Sequence, residues 1–211
     1  MTETKSGERE LDRLIFFSDA VFAIVMTLLV LEIRVPEVPP HLAAAELPGK
    51  VLALEPKFFS YVLSFLVIGT YWIAHHQTFR YVKSYDRTLL WLNLLFLLSI
   101  SFIPFPTGLL GGYGGLRFTV IFYAASVGLA RLLLALEWVY IINGPIQNGD
   151  DLDQRLARFH LIRSLAIPAV FVVSIGISFL SVPLAISSWV LMFLADALAW
   201  RLQRRRLRSS A

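Results

Sequence analysis

Residues 13–32 of the chain read RLIFFSDAVFAIVMTLLVLE. Between the flanking Arg13 and Glu32, this stretch holds one ionisable residue, Asp19, and nearly all its other residues are apolar. About 20 predominantly apolar residues suffice for an α-helix to cross the hydrocarbon core of a bilayer. A cleavable signal peptide has a shorter apolar region followed by a small-residue cleavage site, and this stretch has neither property. The stretch therefore predicts a transmembrane helix.

The composition of the whole chain extends this prediction. Of its 211 residues, 57% are hydrophobic and 16% are charged, whereas soluble domains carry about 25% charged residues. The sequence lacks the ~10-residue segments of alternating hydrophobicity that are typical of transmembrane β-barrels. We therefore predict an all-α integral membrane protein, with residues 1–211 forming a single domain of six transmembrane helices. The helices are expected at residues 13–35, 57–80, 88–110, 117–142, 161–182 and 184–201.

Basic residues are distributed unequally between the two sides that six such helices define. Fourteen of the 19 Lys and Arg residues fall on the side that holds both termini, four fall on the other side, and Arg131 lies within the fourth helix. Because cytoplasmic loops are enriched in Lys and Arg, we predict that both termini are cytoplasmic. The Arg-rich C-terminal tail directly follows an apolar helix, which favours membrane anchoring over nucleic-acid binding.

The first helix carries its apolar and polar residues on different faces. At about 100° per residue, four apolar residues form one stripe, here called the apolar stripe: Phe17, Ile24, Leu28 and Leu31. Arg13 lies near the N-terminal foot of this stripe, Thr27 lies about 60° away from it, and Asp19 lies on another face. Contact with lipid or with another helix would explain the stripe. Ser18 and Asp19 are candidates for hydrogen bonds between helices, since polar groups at membrane depth need partners.

The start of the first helix also carries a recognisable motif. Arg13-x-x-x-Phe17-Ser18-Asp19, followed by Ala23-Ile24 and Thr27-Leu28-Leu29, resembles the signature of the transmembrane protein 175 family. Two further stretches look like sequences of this family: Tyr71-Trp72-Ile-Ala-His75-His76 and Phe102-Ile-Pro104-Phe-Pro106-Thr107. Animal members are endosomal and lysosomal potassium channels with two six-helix repeats, and prokaryotic members are single six-helix units. This chain has one copy of the motif.

The resemblance implies a potassium-selective channel of the plasma membrane that has no re-entrant filter loop and no cofactor. A chain with one six-helix unit implies a homotetramer, because the two-repeat animal proteins dimerise. The first helix of each subunit would line the pore, with a hydrophobic constriction at Ile24. Leu28 and Leu31 would line the pore beyond the constriction, and Thr27 would add a ring of hydroxyl groups. Four motif residues would hold the inner end of this helix: Arg13, Phe17, Ser18 and Asp19.

Two adjacent histidines, His75 and His76, lie in the second predicted helix. Neighbouring residues on a helix point about 100° apart, so these two side chains do not form a pair of metal ligands by themselves. We expect a hydrogen-bond network with Ser18 and Asp19 or with Asn93. Metal binding and proton sensing are the alternatives for the two histidines.

Other polar features exclude several classes of protein. Arg131 is expected to meet a partner on another helix or to extend towards the membrane surface, and a lone arginine does not make a voltage sensor. GGYGG at residues 111–115 predicts a glycine turn, since no Thr-Val precedes it as in a potassium filter. Paired aspartates, a Ser/His pair and a phosphate loop with suitable spacing are missing, so we predict no enzyme. A weakly selective cation or proton channel and a proton-coupled transporter using Asp19 and the histidines remain the alternative functions.

Overall fold

The computed structural model describes residues 2–144 and 154–190, and these are mostly helical. The described α-helices are, in chain order, α1 (Thr2–Leu28), α2 (Ala43–Leu52), α3 (Glu55–Phe79), α4 (Arg87–Phe102), α5 (Pro104–Tyr113), α6 (Arg117–Asn143), α7 (Gln154–Ser178) and α8 (Val182–Ser188). Short 3-10 turns occur at Leu29–Glu32 and at Pro40–Leu42. The described part of the chain is therefore mostly helical, in agreement with the predicted all-α class.

Four helical stretches of the described residues are long and apolar enough to cross a membrane: Glu10–Glu32, Glu55–Phe79, Arg87–Tyr113 and Arg117–Asn143. A shorter apolar stretch, Ser164–Ser178, lies in α7. Much of the segment between the fourth and fifth predicted helices and most of the predicted helix at 184–201 lie outside the described residues. The structure thus supports a multi-pass membrane protein.

The first helix differs from its predicted bounds at both ends. It begins at Thr2 instead of residue 13, because the preceding Glu, Lys and Arg residues are good helix formers. The hydroxyl of Tyr85 donates a hydrogen bond to the carboxylate of Glu10 and ties this N-terminal part to the segment before α4. The α-helix ends at Leu28 instead of residue 35, and the 3-10 turn Leu29–Glu32 leads into an extended segment. The prolines of VPEVPP then prevent further helix.

The third predicted helix, 88–110, is divided into α4 and α5 at Ile103. The pyrrolidine rings of Pro104 and Pro106 supply no N–H and interfere with the preceding turn, which explains the break. Asp86 begins α4 as its N-cap, because its carboxylate accepts a hydrogen bond of 2.8 Å from the N–H of Leu89. The two helices still form one apolar span, Arg87–Tyr113.

One face of α1 packs into the core of the protein against α3 and α4. The buried residues of α1 and of the 3-10 turn that follows recur every three or four positions: Leu11, Leu14, Ser18, Phe22, Val25 and Leu29. The helices differ in how much of each is buried. In the most apolar part of Glu10–Glu32, 22% of the residues are buried, whereas in that of Arg117–Asn143 the share is 56%. The helix α6 therefore lies at the centre of the protomer, and α1 lies at its edge.

The glycine-rich end of α5 approaches α3 closely at one position. A Cβ atom added at Gly111 would lie 2.6 Å from the Oγ of Ser60 and 3.1 Å from the Cα of Lys57. A Cβ atom added at Gly112 would have no neighbour within 4 Å. Gly111 and Gly112 belong to α5, and the turn predicted for GGYGG begins only after Tyr113.

We expect Gly111→Ala to destabilise the protein, because the backbone of α3 has to move to admit the methyl group. An overpacking cost of about 1–3 kcal/mol is typical for such a change. Gly112→Ala is the matched control and should be neutral or stabilising by up to about 1 kcal/mol, since alanine favours a helix. Thermal unfolding of the two purified variants in the same detergent measures the difference. Equal midpoints for both variants would contradict this close approach.

Candidate functional site

The apolar stripe of α1 lies on the face that points away from the rest of the protomer. The exposed fractions are 51% for Phe17, 57% for Ile24, 44% for Leu28 and 66% for Leu31. The residues that alternate with them, such as Phe22 and Val25, are almost completely buried. The helix and the 3-10 turn after it therefore present a largely exposed apolar surface that is about four turns long.

Thr27 is also exposed and lies beside this stripe. Its hydroxyl group is within hydrogen-bond distance of the carbonyl oxygens of Ala23 and Ile24, at 3.0 and 2.8 Å. The hydroxyl proton is directed to the backbone of its own helix, so the oxygen lone pairs are left for an outside donor or a cation. The exposed face of α1 thus contains one oxygen ligand among apolar side chains.

Ser18 belongs to a buried hydrogen-bond chain that links three helices. Its hydroxyl donates to the carbonyl of Leu14 and accepts from the Nδ2 of Asn93, both at 3.0 Å. The Oδ1 of Asn93 lies 3.0 Å from the Nε2 of His75. Because an amide oxygen only accepts, this bond places a proton on the Nε2 of His75. The structure therefore brings Ser18, Asn93 and His75 together.

The imidazole of His75 is enclosed by aromatic rings. It stacks on Phe96 with ring centroids 5.5 Å apart, and the rings of Phe79 and Phe22 lie at 4.3 and 5.8 Å. Burial and these rings leave the imidazole no solvent contact. His75 therefore serves as a buried hydrogen-bond donor to Asn93 that helps to hold α3 against α4.

Asp19 follows Ser18 in the sequence but is not part of this chain of hydrogen bonds. The indole Nε1 of Trp72 donates to the Oδ1 of Asp19 at 2.8 Å. His76 is exposed, and its ring centroid lies 6.2 Å from that of Trp72. Sequence reasoning did not find the role of Trp72. The signal was available, because an indole N–H within a membrane needs an acceptor and Asp19 lacked a partner.

Arg13 and Arg131 occupy contrasting surroundings. Arg13 is exposed near the N-terminal foot of the apolar stripe. Arg131 is buried in α6, with its guanidinium group 5.5 Å from the centre of the Tyr71 ring. It lines a cavity of about 30 Å³ together with Thr78 and Ser164. Arg131 therefore stays inside the helix bundle and does not extend to the membrane surface.

The site contains no cluster suited to a metal ion. Within residues 2–144 and 154–190, no group of three or more His, Cys, Asp and Glu side chains is placed to hold one. His75 is engaged with Asn93, and His76 is exposed. What the described geometry offers is an apolar helix face, an oxygen ligand and a set of hydrogen bonds that orient the helix.

Comparison with known proteins identifies the family. The sequence model described as "Endosomal/lysosomal potassium channel TMEM175" matches residues 13–104. A protein named as a potassium channel from Streptomyces collinus is 35% identical over 189 residues, covering 84% of this chain and 87% of that protein. The chain belongs to the TMEM175 family. This is a family of channels and not of enzymes.

Solved structures and vertebrate proteins add to this comparison. The crystal structure of a lysosomal potassium-selective channel TMEM175 homologue from Chamaesiphon minutus superposes with a TM-score of 0.77 at 29% identity, covering 90% of this chain and 98% of that one. The chicken protein, named an endosomal/lysosomal proton channel, is 25% identical over 87% of this chain but only 37% of its own length. The TMEM175 family thus contains relatives named for two different ions.

We expect Asn93→Leu to destabilise this TMEM175 protein by about 1–3 kcal/mol, since the buried Nε2–H of His75 then has no acceptor. Ser101→Ala is the matched control on the same helix, because the hydroxyl of Ser101 bonds only to the carbonyl of Leu97 and the residue is exposed. The control should change stability by less than about 0.5 kcal/mol. Thermal unfolding in detergent measures both, and an unchanged midpoint for Asn93→Leu would contradict the network.

Proposed function

We propose that this chain forms a potassium channel whose pore is lined by the apolar stripe of α1 from each subunit. The observation that carries the proposal is the exposure of Phe17, Ile24, Leu28 and Leu31 on the span that, of the four found in the described residues, is the least buried. An apolar face of this kind is also suited to lipid. Membership of the TMEM175 family, and relatives of similar length that are named potassium channels, favour a pore.

A central pore requires several copies of α1 around one axis, and we propose a homotetramer. One protomer contributes one such helix, and a single helix cannot enclose a channel. Six transmembrane helices with both termini in the cytoplasm, in the plasma membrane, agree with the excess of Lys and Arg on the side of the termini. In this arrangement Arg13 lies at the cytoplasmic end of the pore and Leu31 near its outer end.

Ile24 is proposed as the hydrophobic constriction. Its side chain lies in the middle of the span, and a ring of four such side chains gates water and ions by dewetting. Leu28 and Leu31 continue the same face outward from it. Thr27 lies one turn from Ile24 and presents hydroxyl lone pairs, so a ring of four supplies oxygen ligands for a partly dehydrated cation.

The motif residues are proposed to hold α1 at a defined rotation. Ser18 is bonded to Asn93 of α4, and Asp19 accepts from Trp72 of α3. Two anchors on different faces resist both rotation and sliding of the helix. Phe17 and Arg13 lie on the exposed side at the same end and are proposed to contact neighbouring subunits there.

A second function has a specific observation in its favour. The vertebrate relatives, including those of chicken and zebrafish, are named proton channels. A hydrophobic constriction passes protons along a transient chain of water molecules, so the same pore suits a proton or a weakly selective cation channel. A proton-coupled transporter that uses Asp19 and the histidines is less well supported, because Asp19 and His75 are engaged with Trp72 and Asn93.

Replacing Ile24 by a smaller residue tests the pore assignment. In planar bilayers, Ile24→Ala should raise the potassium current at least severalfold and lower the potassium-to-sodium permeability ratio, because the narrow dewetted ring is widened. Leu98→Ala on α4 is the matched control, since Leu98 is an aliphatic residue of similar exposure on another helix. The control should leave both quantities unchanged. If Ile24→Ala had the same current and selectivity as wild type, Ile24 would not form the constriction of the pore.

A further inference from the structure

Glu32 ends the 3-10 turn that follows α1 and comes directly after Leu31 of the apolar stripe. It is exposed, and its carboxylate forms no ion pair with any Lys or Arg in the described part of the chain. The contrast is Glu46, which pairs with Lys50 at 3.2 Å on the helix α2. Glu32 therefore carries an uncompensated negative charge at the end of the proposed pore-lining helix.

The carboxylate of Glu32 lies close to a glycine of α5. A Cβ atom added at Gly108 would lie 2.3 Å from the Oε2 of Glu32 and 2.9 Å from its Cδ. An alanine at position 108 would therefore push the end of this side chain aside. One turn further along α5, a Cβ atom at Gly112 would have no neighbour within 4 Å. The carboxylate of Glu32 thus lies against α5 at Gly108 and not at Gly112.

The distance from Glu32 to the constriction is short on the scale of electrostatic interactions. Glu32 follows Ile24 by eight positions, which is roughly 14 Å because the last four residues form a 3-10 turn. The Debye length, over which salt screens a charge, is about 10 Å at 0.1 M and about 30 Å at 0.01 M. Four carboxylates around one axis therefore act on cations at the outer mouth without having to bind them.

We propose that Glu32 concentrates potassium ions at the outer mouth of the pore and so sets the rate of cation entry from that side. This inference rests on the proposed function, because it requires four copies of α1 around a pore. Rings of Asp or Glu side chains serve cation channels in this way. A mouth lined by charge of one sign raises the local concentration of its counter-ion.

Arg34 opposes this effect. It is exposed two residues beyond Glu32, after Ile33 has turned the backbone into an extended conformation. Along the chain it lies two residues further from Ile24 than Glu32 does. The field of Glu32 therefore dominates at the mouth, and that of Arg34 reduces it. Neutralising each residue should change cation entry in opposite directions.

The experiment compares wild type, Glu32→Gln and Arg34→Gln in planar bilayers at about 0.01 M and about 1 M KCl. At the lower concentration, Glu32→Gln should reduce the single-channel current for potassium entering from the outer side by a factor on the order of 3–10. Arg34→Gln should increase it. At the higher concentration, where the screening length is about 3 Å, both differences should largely disappear.

Gly108→Ala moves the carboxylate without changing any charge, and Gly112→Ala is its control. We expect an intermediate loss of current for Gly108→Ala at low salt and none for Gly112→Ala. Wild-type current in Glu32→Gln at both salt concentrations would overturn the role of Glu32 while leaving a potassium channel in place. An equal loss of current at both salt concentrations would also overturn this role, because salt at 1 M should screen a long-range electrostatic effect. An absence of potassium current in wild type itself would overturn the proposed function.

Discussion

The hydrogen bonds from Ser18 through Asn93 to His75 are the interaction on which the arrangement of the first helix depends. In a membrane, packing between apolar side chains gives little preference for one rotation of a helix, because lipid tails are as apolar as the neighbouring helices. A buried hydroxyl that has to meet a particular amide removes this freedom. Ser18 directs one face of α1 to α4, and the apolar stripe consequently points away from the protomer.

The bond between Trp72 and Asp19 adds a second fixed point. It lies on α3, whereas Asn93 lies on α4, so the two anchors hold α1 from two sides. Together they leave the outer half of the helix, with Ile24, Thr27 and Leu28, without polar restraints to its own protomer. The proposed pore lining therefore combines a fixed N-terminal end with an apolar C-terminal part.

The periodicity of apolar residues predicts which face of a helix is buried, but it says little about which side chains meet between helices. The spacing of Phe17, Ile24 and Leu28 identifies one face of α1 because a single helix obeys simple geometry. The ends of that helix are less predictable, since the charged residues before Arg13 continue it and the 3-10 turn after Leu28 leaves no signal in composition. Trp72 as the partner of Asp19, and Gly108 beneath Glu32, depend on how separate helices meet, which one sequence does not specify.

The central claim, that potassium crosses the membrane along the exposed face of α1, has a direct test because the chain contains no cysteine. Leu31→Cys and Leu98→Cys are placed in liposomes, and potassium efflux is followed before and after a membrane-impermeant, positively charged thiol reagent. Our account predicts rapid efflux from all samples, block of Leu31→Cys alone, and no effect on wild type or Leu98→Cys. Efflux that the reagent leaves unchanged in Leu31→Cys, although mass spectrometry shows the thiol modified, would contradict it.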